Sequence, residues 1–554
     1  MFRGSVQLWA GPLSFGAVAE PRFRPIYEGM TMIKPTRFPR QNRLRASTAA
    51  LAILAAHPAA ADVTPADVWA NTQAYLGSFG GQVSAELVAE GAVTELQDFT
   101  ARFALPMGFG TLEATATGLS MVENGDGTVT FRYADGAALP LALDVPGEGG
   151  GTIRAVMRGG SDMLASGDPG DVRYTYDVPE YSVEIAALEL SGTLAEAPGT
   201  GALGNADVTG MFTVRSTTGE MRITEGDLVT TTLDATYADM DYDIRFSVAE
   251  GFSGYQTGTV GASTATARVA MPAGGAAVMA LNQALADGMA FELTSSSAST
   301  TADQELTADG RVISYSRDTS GPGNATLRLD QAGLLLEGGL EGYSFDQLDP
   351  ELPLPLKGQF EAAKARIAMP VSAGEDPQSF AMLLDIAGLS LDEALWALFD
   401  PAQALPRDPA SLTLDLAGEM GTRIDLLDIP ALMALEQSGE NPFSIHASTL
   451  RQFALSAVGA SLSSTGDFTF DMSDLTTFDG LPAPTGVLDV QVNGANALID
   501  TLIGMGLVAQ DEALGARMML GLFARPGEGE DSLVSKIEVD GATGAVSANG
   551  QRLR

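Results

Sequence analysis

From Val83 to about Arg268, apolar and polar residues alternate in short runs. Thr128-Val-Thr-Phe-Arg-Tyr133, Tyr174-Thr-Tyr-Asp-Val178, Tyr181-Ser-Val-Glu-Ile185, Met211-Phe-Thr-Val-Arg215 and Tyr242-Asp-Ile-Arg-Phe-Ser-Val248 all read this way. Period two predicts strands with one face buried and the other wet. Asn124-Gly125, Asp126-Gly127, Asp135-Gly136 and the cluster Gly147–Gly151 supply tight turns between them. A second β stretch runs from Ala290 to about Ala373, with Thr326-Leu-Arg-Leu329 and Leu334-Leu-Leu-Glu337. Phe380–Ile386, Ser411–Leu416, Phe443–Ala447, Phe468–Met472 and Gly486–Val492 continue the pattern, and Ser535–Gly541 and Gly544–Gly550 close it as a hairpin-like unit.

Helical spacing interrupts the strands at five places. Thr64 is an N-cap candidate, Pro65 fits the first turn, Asp67 suits the positive end of the dipole, and Val68, Tyr75 and Leu76 share one face. This helix is expected to end near Gly77–Gly81. Ala273 to Asp287 reads as helix, with Val278, Leu281 and Leu285 on one face. Leu391 to Asp400 is stopped by Pro401, and Ile429 to Gln437 follows Asp428. Ala495 to Arg525 predicts two helices or a kink at Gly504 and Gly506: Leu498, Leu502 and Met505 line the first face, Leu514, Met518 and Leu522 the next. An echo links Ala116-Thr-Gly-Leu-Ser120 and Asn124–Phe131 to Ala457-Val-Gly-Ala-Ser461 and Thr465–Phe470. The expected class is α+β and β-dominated, with antiparallel meander sheets in two related modules, 62–288 and 289–554, and helices on one face.

Ahead of this body, Arg37, Arg40, Arg43 and Arg45 precede the uncharged run Ala46–Ala56; Pro58 and Ala59-Ala60-Ala61 follow, then Asp62. Basic start, short apolar run and small residues at the cut are the plan of a secretory signal. Residues 1–61 are therefore expected to be leader plus signal peptide, cut between Ala61 and Asp62 with Ala59 and Ala61 at the peptidase, and translation to start at Met30 or Met32. The h-region lacks a preceding Arg-Arg pair, which favours Sec export, and no Cys stands at the cut. The expected location is the periplasm.

This cut changes the charge picture. The segment carries eight Lys/Arg and two Glu, so its removal leaves 493 residues and takes the net charge from −39 to −45. Only Lys357, Lys364 and Lys536 remain as lysines. Nucleic acid is excluded as a partner, because phosphate contacts need a basic surface. The chain has no cysteine, which excludes disulfides, thiolate chemistry and Cys-ligated metals. His446 is the single histidine past the cut; it lies in a strand-like run without a GxSxG elbow. After residue 61 the longest apolar run, Val269 to Leu281, is about 13 residues and too short to span a bilayer.

Candidate chemistry is sparse. Asp239, Asp241 and Asp243 share one strand face, a cation site or a solvated face; the EF-hand Gly and Glu are missing. Asn124-Gly-Asp-Gly127 is explained by a hairpin turn. Gly199-Thr-Gly201-Ala-Leu-Gly204 matches GxGxxG but is followed by loop and strand, where a dinucleotide site needs a helix. Chance carboxylate pairs are certain among the 68 Asp/Glu beyond the leader. No catalytic, cofactor or metal residue is assigned. Met505, Met518 and Met519, with apolar-in strands, suggest a sheet face able to shelter acyl chains.

Asp62-Val-Thr-Pro-Ala-Asp-Val-Trp-Ala70, Leu395-Trp-Ala-Leu-Phe-Asp-Pro401, Leu405–Leu416, Gly506-Leu-Val508 and Asn549-Gly-Gln-Arg-Leu553 resemble an uncharacterised family of exported alphaproteobacterial proteins, a domain of unknown function common among Rhodobacter relatives. The resemblance covers 62–554 and implies a compartment; it carries over no functional residue. The β-rich repeats with a terminal Asn-Gly turn distantly resemble AsmA-like envelope proteins, some linked to lipid transport. The reading is a periplasmic, non-enzymatic envelope protein binding an apolar ligand (lipid) or another envelope protein. The alternatives are a carboxylate-dependent glycan hydrolase and a purely structural envelope component.

Overall fold

The computed structural model describes residues 62–105, 110–192, 206–248, 251–275, 280–350, 352, 354–374, 376–438 and 441–554. Ala59 and Ala61, Gly199, Gly201 and Gly204, and Val278 lie outside them.

The alternating runs pair into one 29-stranded antiparallel sheet. The β-dominated α+β expectation holds. The chain meanders, but up to Asp330 many of its strands come as two halves in line. Gly149–Arg158 and Ser161–Asp168 both pair with the 22-residue strand Asp171–Gly192, one half on each. Arg311–Ser320 and Gly323–Asp330 likewise share Gly333–Leu348. The breaks between halves line up from strand to strand and form a crease along the sheet. Ala238 N–H donates to the Arg215 carbonyl, Gly261 to Ser299, and Gly321 to Glu341 across this line.

The crease exists because one extra residue is inserted where each long strand crosses it. In Gly333–Leu348, Leu334, Leu336 and Leu340 face one way; Gly342 turns through φ 62°, and Tyr343, Phe345 and Gln347 then face the same way. In Asp207–Thr224, Ser216 does this at φ 49°: Val214 pairs with Tyr181 and Thr217 with Val178. Without the insertion every side chain past the crease would switch faces.

The sheet is continuous across 288/289, since Ser263–Ala270 pairs with Ala290–Ser297. The two echo segments sit differently. Thr117-Gly118 lies at the crease inside a split strand, while Val458-Gly459 is the hairpin turn between Phe443–Ala457 and Ala460–Asp471.

The first helix is Pro65–Ser78. Thr64 Oγ accepts the Asp67 N–H at 3.3 Å, and Asp67 Oδ2 accepts the Thr64 N–H at 2.9 Å, a capping box at the expected residues. Its buried face holds the expected Val68 and Tyr75, with Tyr75 only partly buried, and is completed by Trp69, Asn71 and Ser78 rather than Leu76. They cover Met121, Val129, Phe131, Ala165, Val172, Tyr174 and Ile223, which form the main core. Each large apolar side chain so buried contributes about 1.5–3 kcal/mol.

The expected helix 273–287 is corrected to Leu281–Ala286. The expected start is instead the turn at Ala273–Gly275 that leaves the strand Ser263–Pro272, whose Val269 and Met271 pair with Thr231 and Val229; residues 276–279 lie outside the described ones. The remaining helices among the described residues are Glu393–Phe399, Ile429–Ser438, Ala495–Gly504 and Gln510–Phe523; the last two confirm the break at Gly504–Gly506.

Candidate functional site

Register places apolar residues opposite one another over many strands. Val129, Ala165, Tyr174, Met221, Leu233, Ala267, Leu293, Leu327, Leu336, Ile367, Met382, Leu416 and Leu450 form one cross-strand row. The row goes on through Gly466, Leu488 and Ile537 to Ala548. At about 4.8 Å per strand it extends ~75 Å along the sheet. The opposite face is polar. Thr259–Thr301, Thr264–Ser296 and Thr319–Ser344 exchange hydroxyl bonds at 2.7–2.8 Å, and Arg132–Asp162, Arg158–Glu184 and Arg222–Asp171 pair at 2.6–2.7 Å.

The two ends of this stripe are not equally covered. Under the first helix Val129 and Ala165 are fully buried. Farther on Leu336 is 39% exposed, Ile367 43% and Met382 37%. Here the apolar face forms an open groove of about 180 Å³, lined by Leu293, Ala325, Leu327, Leu336, Ala365 and Ile367. Contiguous exposed apolar surface of this kind marks interaction sites. Met518 and Met519 of the C-terminal helix are exposed as well.

Across the crease, on the same face, sits a carboxylate. Asp318 Oδ1 accepts the Tyr343 hydroxyl at 2.8 Å and the Gln347 amide at 3.2 Å; Oδ2 accepts the Ser316 hydroxyl at 2.6 Å. Phe345 is its direct cross-strand partner, and Tyr343 stacks on Phe360 with ring centroids 4.9 Å apart. Burial, with the hydrogen bond to Asp318 next, pushes the Tyr343 phenol well above its ordinary value. Sequence reasoning missed this group. Its members lie on two strands 25 or more residues apart and no short motif joins them.

A larger depression of about 860 Å³ lies along the same strands, with Asp243, Asp303, Arg317, Asp346 and Lys357 among its lining beside Tyr242, Asp318 and Phe345. Its cations are paired: Lys357 meets Asp346 at 3.1 Å, and Arg317 meets Asp303 at 3.4 Å. Burial opposes the Asp346 charge, but bonds from Lys357 and Tyr315 outweigh it and hold the carboxyl below its usual range. The expected trio resolves similarly. Arg215 binds Asp239 at 2.6 Å and also Asp241, and Arg245 binds Asp243 at 2.8 Å. No group of three or more metal-ligating side chains occurs among the described residues.

The His446 ring lies 3.3 Å from the Ser444 hydroxyl, two residues back on its own strand. No carboxylate among the described residues bonds that ring, so the orienting member of a triad is missing there. Asn124–Gly127 is the hairpin turn it was read as: Asp126 accepts the Thr128 N–H at 3.1 Å. No helix among the described residues is long and apolar enough to cross a membrane.

Comparison with known proteins places the chain only broadly. No curated protein matches it. The AsmA-like resemblance has no counterpart in the comparisons. A family model described as an uncharacterised protein conserved in bacteria (DUF2125) matches residues 260–553, which hold the open part of the stripe and the Asp318 group; with more than half its length matched, the chain belongs to that family.

Proposed function

We propose that this chain is an exported, periplasmic, non-enzymatic envelope protein that holds the acyl chain of a lipid on the open part of its apolar stripe. The observation that carries this reading is the uncovered row through Leu336, Ile367 and Met382. The row is a few side chains wide and many strands long, a shape that suits an extended hydrocarbon better than a globular partner. A second copy of the chain is disfavoured as cover by self-repulsion, the net charge being −39 for the full sequence and more negative still without residues 1–61. The signal-like segment ending at Ala61 supports the periplasmic address.

The hydrolase alternative gains no support from the carboxylates. A glycosidase acid needs a raised pKa. Every described Asp with a resolved shift, such as Asp162, Asp171, Asp346 and Asp531, is lowered by hydrogen bonds and cations.

The test is to express the full chain in an exporting host, sequence the N-terminus of the exported form and extract the purified protein for lipid mass spectrometry. The expected result is a start at Asp62 and co-purifying lipid, absent from an Ile367→Glu variant. A retained leader would remove the periplasmic reading. Lipid-free protein that also fails to bind added fatty acid would remove the ligand reading.

A further inference from the structure

Resting on the lipid reading above, we infer that the bound lipid carries an ammonium head group, and that the head group is seated at Asp318 across the crease from the acyl groove. Asp318 is the feature of the apolar face that hydrocarbon alone does not explain. A part-buried carboxylate is costly unless a cation or hydrogen bonds compensate it. Its partners Tyr343, Ser316 and Gln347 are all neutral donors. The adjacent Arg317 turns to the other face, toward Asp303 and Glu305. The described arginines and lysines thus leave Asp318 as a hydrogen-bonded anion without a counter-charge.

The surroundings fit a cation. The Tyr343 ring lies beside the carboxylate, Phe360 stacks behind it, and Phe345, the cross-strand partner of Asp318, leans over Gly358 with its ring 6.1 Å from that of Tyr343. Tyr242 belongs to the same cross-strand row, with Gly258 and Ala302 between it and Asp318. Burial raises the Tyr242 phenol, and the Asp318 charge adds to the rise, so the two groups sense each other. Aromatic faces beside a carboxylate attract an alkylated ammonium through the ring quadrupole and through charge. The three neutral donors hold the carboxylate in place and leave its field directed at the ligand. An anionic head group would meet repulsion at the same spot.

The experiment compares two single-chain probes below their micelle concentrations, dodecyltrimethylammonium and dodecyl maltoside, by titration calorimetry on the full exported chain. The native protein should bind the ammonium probe about tenfold tighter than the neutral one. Asp318→Asn should abolish that preference and leave maltoside binding unchanged. Asp234→Asn removes an equal charge from the exposed polar face and should keep the preference. Phe345→Leu, which preserves apolar bulk, should reduce it by several-fold and covers the case in which Asp318→Asn misfolds. A preference that survives Asp318→Asn, or falls equally in Asp234→Asn, overturns the head-group inference while the acyl reading stands. Failure of both probes to bind overturns the two together.

Discussion

The stripe begins under a helix and continues in the open, although the same alternation builds both parts. Near its start Val129, Ala165 and Tyr174 are at most 3% exposed, sealed by Val68 and Trp69. From Leu293 to Ile537 the equivalent positions stay partly or largely exposed, and the row is buried again only at Ala548. The covered part has a specific lock. Asn71, itself fully buried, donates to Glu225 at 2.9 Å and accepts the Tyr174 hydroxyl at 3.0 Å. The open part has no such lock; its polar group, Asp318, stands across the crease. Alternation therefore establishes an apolar face, and only the cover decides whether that face is core or binding surface.

The comparison is broken most strongly at the cover. Trp69→Ala removes a buried ring that packs edge-on to Phe99 at 6.2 Å, and should cost about 3–5 kcal/mol in denaturant unfolding. Ile367→Ala, at a site 43% exposed, should cost much less in the same assay. A similar loss at both sites would mean the open stripe is as much core as the closed one. Asn71→Ala should cost about 1–3 kcal/mol, because it strands the Tyr174 hydroxyl in an apolar setting. Ile367→Glu should stay within about 1 kcal/mol of the parent yet lose bound lipid, which separates binding from folding at one position.

The smallest effect concerns pH. Asp400 is 1% exposed between the helix Glu393–Phe399 and the strand Ala410–Thr422. Burial opposes its charge, but the N–H groups of Leu405 and Ala404 and the Arg407 guanidinium outweigh burial and lower its pKa. A lowered folded pKa gives stability that is present above the unfolded value, about 4, and lost as pH falls through the folded one. Asp400→Asn should thus be less stable than the parent at pH 7, and the gap should close in acid. A gap constant from pH 7 to pH 3 would refute the charge role.

Strands and caps were legible because their causes are local. Thr64, Pro65 and Asp67 announced the first helix, and Asn124–Gly127 its hairpin. The crease was not legible. Ser216 and Ala238 carry no turn signature, and the inserted residue at each is required only by the neighbouring strand. The helix expected over 273–287 proved shorter, Leu281–Ala286, because Ala273–Gly275 turns out of the strand Ser263–Pro272, a turn set by that strand's pairing with Leu228–Tyr237. Within the candidate site, Leu336 and Ile367 were visible as apolar strand residues, but their exposure depends on where the first helix ends. Asp318 was hidden because its meaning comes from Tyr343 and Gln347 on another strand.

The clamp between Asn71 and the strand Asp207–Thr224 also sets an order of assembly. Nearly every strand pairs with a neighbour a short loop away, so the sheet grows by local addition, as in a repeat array. The first helix is the exception, since its partners Ile223 and Glu225 lie 152 and 154 residues downstream. A chain delivered N-terminus first presents this helix earliest and docks it late. Until then Trp69 and the row from Val129 to Met221 share one exposed surface, the interval in which a chaperone would find the most to hold.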